Sequence, residues 1–280
     1  MPSYLLLVIF ILTNALRLSA QDTKAKSYFE KAAKAYQQRN LDLTKSYLDS
    51  AIQVDQRYAK AYARRGLLSY ELSDMPNALQ DYNQAIAILK KGGKRGVFLA
   101  KLYYRRGAAY YQLMNYKQAL KNFNKAIKVA PDYTEAYVAR GAIKEDKEDF
   151  RGALKDYTKA IVTDPKYALA YYNRGLVYYN LDEEAKALQD WETALNLNKK
   201  YVDAYLARAF VLQEGGNYEQ ALRDYNQALK YNPYSAEAWL NRGIVYQKLG
   251  KKSKACNDWA QSIKVGGVEA QKYLDKHCKK

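Results

Sequence analysis

Two cysteines, Cys256 and Cys278, and one histidine, His277, are the side chains best suited to covalent or metal chemistry. His277 and Cys278 are adjacent near the C-terminus. A thiolate–imidazole pair needs a cleft that holds base against nucleophile, and a terminal helix offers none. One His and two Cys are too few for a zinc site of clustered Cys and His, or for a scaffold of several disulfides. The chain has no phosphate-cradling GxxxxGK[ST], no HExxH and no GxSxG. The acid clusters Asp182-Glu183-Glu184 and Glu145-Asp146-Lys147-Glu148-Asp149 fall at or near turns and read as solvated surface rather than as metal ligands. The expectation is a protein that is not an enzyme, with no cofactor, metal or small-molecule substrate.

Charge and aromatic rings remain. The 280 residues carry 46 Lys plus Arg against 29 Asp plus Glu, a formal net charge of +17. From Tyr82 to Ala130 there is no acid and there are eleven bases, among them Lys101, Arg105 and Arg106. A block this basic creates a field that attracts an anionic partner. Tyr outnumbers Phe by 29 to 6, a bias that needs a structural cause. Half the residues are hydrophobic, which argues against disorder, and five Pro with fourteen Gly are few enough to favour helices.

These residues recur at fixed spacing. Gly107, Gly141, Gly175, Ala209 and Gly243 stand 34 residues apart, and Gly66 joins them after one longer step of 41. Twelve residues after each comes Ala78, Ala119, Ala153, Ala187, Ala221 or Ala255, and four further on Tyr82, Phe123, Tyr157, Trp191, Tyr225 or Trp259. Pro131, Pro165 and Pro233 close three of the repeats. A period of this length marks an array whose units bury their apolar faces only by stacking.

This pattern resembles the tetratricopeptide repeat. The resemblance covers nearly all of the chain after residue 24 and implies an all-α fold. That fold is a right-handed α-α superhelix, or solenoid, of about seven tetratricopeptide repeats followed by a C-terminal capping helix. The repeats fall at 25–58, 59–92, 100–133, 134–167, 168–201, 202–235 and 236–269. Residues 93–99 read as an inserted basic loop and residues 270–280 as the cap. The small residue on the first helix and the Ala on the second let the backbones approach, and the aromatic fills the space between. Pro ends the second helix because its ring and missing N–H cannot continue the ladder.

Most of the Tyr excess then belongs to packing and boundary positions. Six Tyr fall where the family's groove-lining side chains sit: Tyr36, Tyr70, Tyr111 and Tyr179 at position 12, and Tyr104 and Tyr172 at position 5. Rigid amphipathic rings on a concave face suit peptide contact. Positions 2 and 6, which also face the groove in the family, hold Lys60 and Arg64, then Lys101 and Arg105. These resemble part of the carboxylate clamp some tetratricopeptide proteins use. The clamp's remaining positions fall on Phe29 and Ala33, or on Ala63 and Leu67, so an acidic segment fits better than a chaperone tail. The C-terminal half of the groove is more apolar and mildly acidic, with Leu176, Phe210 and Ile244 at position 9 and Glu135, Asp203 and Glu237 at position 2.

A second row, Arg65, Arg106, Arg140, Arg174, Arg208 and Arg242, precedes the small residue. Asp81, Asn122, Asp156, Asp190, Asp224 and Asp258 precede the aromatic. The two rows read as a ladder of ion pairs on facing helices.

At the N-terminus, the apolar run Leu5–Leu12 followed by a polar stretch and Ala20 has the layout of a secretory signal peptide cleaved after Ala20. Export to a bacterial periplasm or beyond is the expectation. In an oxidising compartment Cys256 and Cys278 would form a disulfide that fastens the cap, with free thiols or an intermolecular bridge as alternatives. The functional reading is a protein–protein interaction scaffold binding an acidic or extended peptide. The alternative is binding of an anionic polymer or surface (glycan, lipid headgroup or nucleic acid) through the basic block, with export counting against nucleic acid.

Overall fold

In a computed structural model, residues 21–93 and 96–278 are described. The signal-peptide expectation lies outside them. The described residues form fifteen helices and no strand. Residues 21–37 form α1, followed by α2 (Leu41–Val54), α3 (Ala59–Glu71), α4 (Met75–Lys91), α5 (Val97–Gln112), α6 (Tyr116–Val129), α7 (Thr134–Asp146) and α8 (Phe150–Thr163). Then come α9 (Ala168–Asn180), α10 (Glu184–Leu197), α11 (Val202–Glu214), α12 (Tyr218–Tyr231), α13 (Ala236–Lys248), α14 (Lys252–Lys264) and α15 (Ala270–His277). The chain divides into two compact units, Met1–Arg140 and Gly141–Lys280, with the division inside α7.

Local sequence chemistry sets the helix ends. Asn40, Asp74, Asn115, Asp149 and Ser235 each accept a hydrogen bond from a backbone N–H in the first turn of the helix that follows. The turn within each hairpin carries one residue with positive φ: Arg39, Ser73, Met114, Glu148 and Asp182, then Gly216 and Gly250. All seven stand at the same place in the period, so one turn geometry is reused, and Gly supplies it in only the last two.

Within a hairpin the aromatic of the second helix lies on the small residue of the first. A Cβ added at Gly175 would stand 2.5 Å from Nε1 of Trp191, and one at Gly107 would stand 2.6 Å from the Phe123 ring. Trp191 and Trp259 are buried there, and their indole N–H groups donate to the carbonyls of Tyr172 and Leu240 at 3.2 Å. Half of the six aromatics in this series are Tyr. Tyr157 donates to Glu145 at 2.7 Å and Tyr225 to Gln213 at 3.1 Å, which satisfies these two buried phenols.

Two expectations need correction. Of the stretch 93–99 read as a loop, Val97–Leu99 form the first turn of α5. The extra residues lengthen α4 to 17 and α5 to 16 residues instead of extending a loop. Apolar Leu99 and Leu102 bury against the core there, which gives the added turn something to pack on. Glu145 is not solvated surface either. It is half-buried against Tyr157, and burial raises its carboxyl above the usual glutamate range.

Cys256 of α14 and Cys278 after α15 form a disulfide. Behind it, the ring of Trp259 stacks on Tyr273 at 5.3 Å and meets His277 at 5.7 Å.

Candidate functional site

The Arg row is framework. Arg174, Arg208 and Arg242 each give a two-pronged fork to Asp190, Asp224 and Asp258, with every N···O distance at 2.7 or 2.8 Å. Arg65 does the same to Asp81 at 2.9 and 2.7 Å. The Asp partners are buried, and the guanidinium groups of Arg65, Arg174 and Arg242 lie over Tyr62, Tyr171 and Trp239 of their own helices. These arginines also reach the second helix of the preceding repeat: Arg65 to Asp49, Arg106 to Asn83, Arg140 to Asn124, Arg174 to Thr158 and Arg242 to Asn226. In Arg65, Arg106, Arg174 and Arg242 one guanidinium therefore fastens its own hairpin and the one before it. In the third repeat Asn122 accepts a single bond from Arg106 at 2.8 Å, and burial without a carboxylate lowers the guanidinium pKa.

A different cation row faces out from the first helices of the N-terminal unit. Lys60 and Arg64 lie on α3 and Lys101 and Arg105 on α5. None of the four forms an ion pair among the described residues. Lys60 and Lys101 are exposed. Arg64 stacks on the Tyr36 ring at 4.2 Å, and the Tyr36 hydroxyl donates to the Glu71 carboxylate at 2.8 and 2.9 Å. The Gln112 amide donates to the Tyr70 hydroxyl at 3.4 Å, tying α5 to α3. Beneath them the buried Tyr82 hydroxyl has no hydrogen-bond partner among the described residues, and burial raises its pKa. Tyr111 is exposed and stands beside Tyr116.

Not all the sequence-predicted residues join this face. The Tyr104 ring packs between Phe123 and Tyr133, at centroid distances of 5.8 and 5.6 Å, and serves mainly as framework. The basic block is also divided. Lys117, Lys121, Lys125 and Lys128 belong to α6, a second helix. Burial lowers the Lys125 pKa first, and the neighbouring cations Arg106, Lys121 and Lys90 lower it further.

In the C-terminal unit the first-helix face holds a concavity of about 240 Å³ between α9 and α11. Tyr172, Leu176, Tyr179, Leu206 and Phe210 line it over Trp191, with Asp203 and Glu237 at its rim. Phe210 is 38 % exposed although apolar. Tyr172 meets Tyr201 at a tilt at 4.9 Å, and Tyr179 meets Trp191 at 6.3 Å and Phe210 edge-on at 6.4 Å. Burial pushes the Tyr172 phenol up to about 12, with Asp203 and Glu237 adding to the effect. Sequence reasoning selected Tyr172 and Tyr179 here and placed Leu176, Phe210, Asp203 and Glu237 on the same face. Leu206 was missed, although its position, five residues into the repeat, is the one that also yields Tyr172.

Three comparisons bear on the family. A family model described as a TPR repeat matches residues 145–182 and 211–250, and two described as tetratricopeptide repeats match 100–133 and 168–201. No curated protein matches the chain. Among solved structures, a tetratricopeptide repeat protein from Parabacteroides merdae is 16% identical with a TM-score of 0.64, over 92% of this chain and 100% of that one. Cut9, in the APC/C hetero-tetramer Cut9–Hcn1, is 16% identical with a TM-score of 0.67, over 84% of this chain and 45% of that one. YrrB, described as a TPR protein with an unusual peptide-binding site, is 23% identical with a TM-score of 0.51, over 70% of this chain and 96% of that one. At these identities the likeness is one of fold. Repeat-model matches along the chain, together with helix hairpins closed by the same small-to-aromatic contact, establish that this chain belongs to the tetratricopeptide repeat family.

Proposed function

We propose that this chain is an exported, non-enzymatic scaffold that holds an acidic, extended segment of another protein on the first-helix face of α3 and α5. One observation carries the reading. The same two helices bear two rows of cations, and only one row is spent. Arg65 and Arg106 are consumed by hydrogen bonds to Asp81 and Asn122, whereas Lys60 and Lys101 are exposed, Arg64 and Arg105 are half-buried, and none of these four has an ion-pair partner among the described residues. Tyr70 and Tyr111 beside them supply rigid amphipathic contact area at low entropic cost. A carboxylate approaching this face would find hydrated cations and half-exposed rings, a combination suited to a side-chain-by-side-chain grip on an extended chain.

The test compares the chain without residues 1–20 with its Arg64→Glu/Lys101→Glu/Arg105→Glu variant, in a pull-down from the native envelope extract and in calorimetric titration with a Glu-rich, Tyr-containing peptide. The reading expects the variant to lose a defined protein and at least tenfold in peptide affinity. Equal recovery and equal affinity would overturn it.

A second reading, binding to an anionic polymer or surface, draws on Lys90, Lys121 and Arg106 gathered around Lys125 of the second helix α6. It expects steep salt dependence without sequence preference. It also expects loss on Lys121→Glu/Lys125→Glu, with the first-helix variant retaining binding.

A further inference from the structure

We propose that the first-helix face of the C-terminal unit is a separate docking site of opposite sign, taking an extended peptide segment in which a bulky apolar or aromatic side chain is flanked by Lys or Arg. The proposal stands independently of the acidic-segment reading.

Shape comes first. The concavity between α9 and α11 is about 240 Å³. That is below the roughly 300–1,000 Å³ typical of sites for drug-sized ligands, but ample for one large side chain. Its walls are Tyr172, Leu176, Tyr179 and Phe210, with Leu206 on the α11 side. Nothing in the hairpin packing requires Phe210 to be aromatic, since the ring is exposed and meets Tyr179 only edge-on. An exposed aromatic beside a half-buried aromatic floor is the composition of an interaction hot spot.

Charge then selects the occupant. Asp203 and Glu237 are exposed at the rim, and neither has a hydrogen bond or ion pair among the described residues. The arginines of the same three helices, Arg174, Arg208 and Arg242, are committed to Asp190, Asp224 and Asp258, so they do not neutralise the rim. No Lys or Arg lines the concavity. In a chain with a formal charge of +17, two uncompensated carboxylates over an apolar pocket are a local reversal of sign. A basic segment is repelled by most of this surface and attracted here, so complementarity gives register as well as binding. The Tyr172 hydroxyl, its pKa pushed up to about 12, stays protonated at neutral pH and can donate to a peptide carbonyl.

The experiment uses the chain without residues 1–20 and fluorescein-labelled peptides of twelve residues containing Lys-Phe-Lys, Glu-Phe-Glu or Lys-Ala-Lys in a Gly/Ser background. Fluorescence polarisation should show saturable binding of Lys-Phe-Lys and at least fivefold weaker binding of the other two at this site. Asp203→Asn/Glu237→Gln, which keeps shape and changes only exposed groups, should weaken Lys-Phe-Lys at least fivefold. Phe210→Ala should do the same, with melting temperatures reported for each variant. Lys101→Glu/Arg105→Glu should leave Lys-Phe-Lys unweakened while weakening the acidic peptide of the first proposal, so either site can fail alone. Absence of saturable Lys-Phe-Lys binding, or binding indifferent to both Asp203→Asn/Glu237→Gln and Phe210→Ala, would overturn the inference.

Discussion

Arg106 stands out among its equivalents because its partner is Asn122 where four others have an Asp fork. Replacing Asn122 by Asp would restore the second bond and a counter-charge, at the loss of the Asn122 amide bond to the Gln118 carbonyl. A hydrogen bond to a charged group contributes about 1.5–3 kcal/mol. Asn122→Asp is therefore expected to stabilise the chain by about 1 kcal/mol net, read as a rise in the urea midpoint at unchanged slope. Glu145 gives the opposite lesson. Its folded pKa is raised, so the protonated form is favoured in the fold. Its contribution to stability is present below the ordinary glutamate value and is lost as pH rises through the raised one. Glu145→Gln keeps an acceptor for Tyr157, as Gln213 does for Tyr225. The variant should melt higher than the parent at pH 7, with the difference vanishing at acid pH. At this scale the forward Arg–Asp ladder was legible because both of its rows repeat as residue types. The backward reach was not, because Asp49, Asn83, Asn124, Thr158 and Asn226 share only an acceptor oxygen.

At the scale of the helix and hairpin, close approach is the governing constraint. An added methyl at Gly175 meets the Trp191 indole at 2.5 Å, and that indole is held by its bond to the Tyr172 carbonyl. Gly175→Ala should cost about 1–3 kcal/mol, the usual penalty of overpacking a filled core. The sixth repeat already carries Ala209 in one buried cluster with Tyr225, so an Ala–Tyr pair is accommodated at this place in the period. A check on the account is that Gly175→Ala combined with Trp191→Tyr should be less destabilised than the sum of the two single changes. The disulfide acts on the last element. Closing a loop of 22 residues is expected to contribute about 3 kcal/mol, so reduction should loosen α15 first. Hydrogen exchange should then rise across α15 while α9–α12 remain protected, and Trp259 emission should shift to the red as Tyr273 and His277 leave its face. The hairpins could be read from the sequence because the packing contact recurs at a fixed spacing. The lengthening of α4 and α5 could not, since KKGGKRG carries strong turn signals and the burial of Leu99 and Leu102 is a tertiary event.

Across the whole molecule, one framework presents two faces of different chemistry. The position-7 arginines are consumed in holding the repeats together, which leaves positions 2, 5, 6, 9 and 12 free to vary. In the N-terminal unit that freedom places Lys60 and Lys101 outward, and in the C-terminal unit it places Phe210, Asp203 and Glu237 around an apolar hollow. Periodicity marked a stacked array, and the resemblance of its small and aromatic residues to the tetratricopeptide repeat implied the family and the helix order. Which Tyr are available to a partner was not, because Tyr104 and Tyr172 share a repeat position while Tyr104 packs on Phe123 and Tyr172 lines a concavity. The central claim is that partners are held on first-helix faces. It is tested most directly by site-specific photo-crosslinking in the native cell, with the photoreactive side chain placed in turn at Tyr111, Tyr179, Lys121 and Arg223. The account predicts discrete protein adducts from Tyr111 and Tyr179 and none from the second-helix positions Lys121 and Arg223. Adducts confined to the second-helix positions would contradict it.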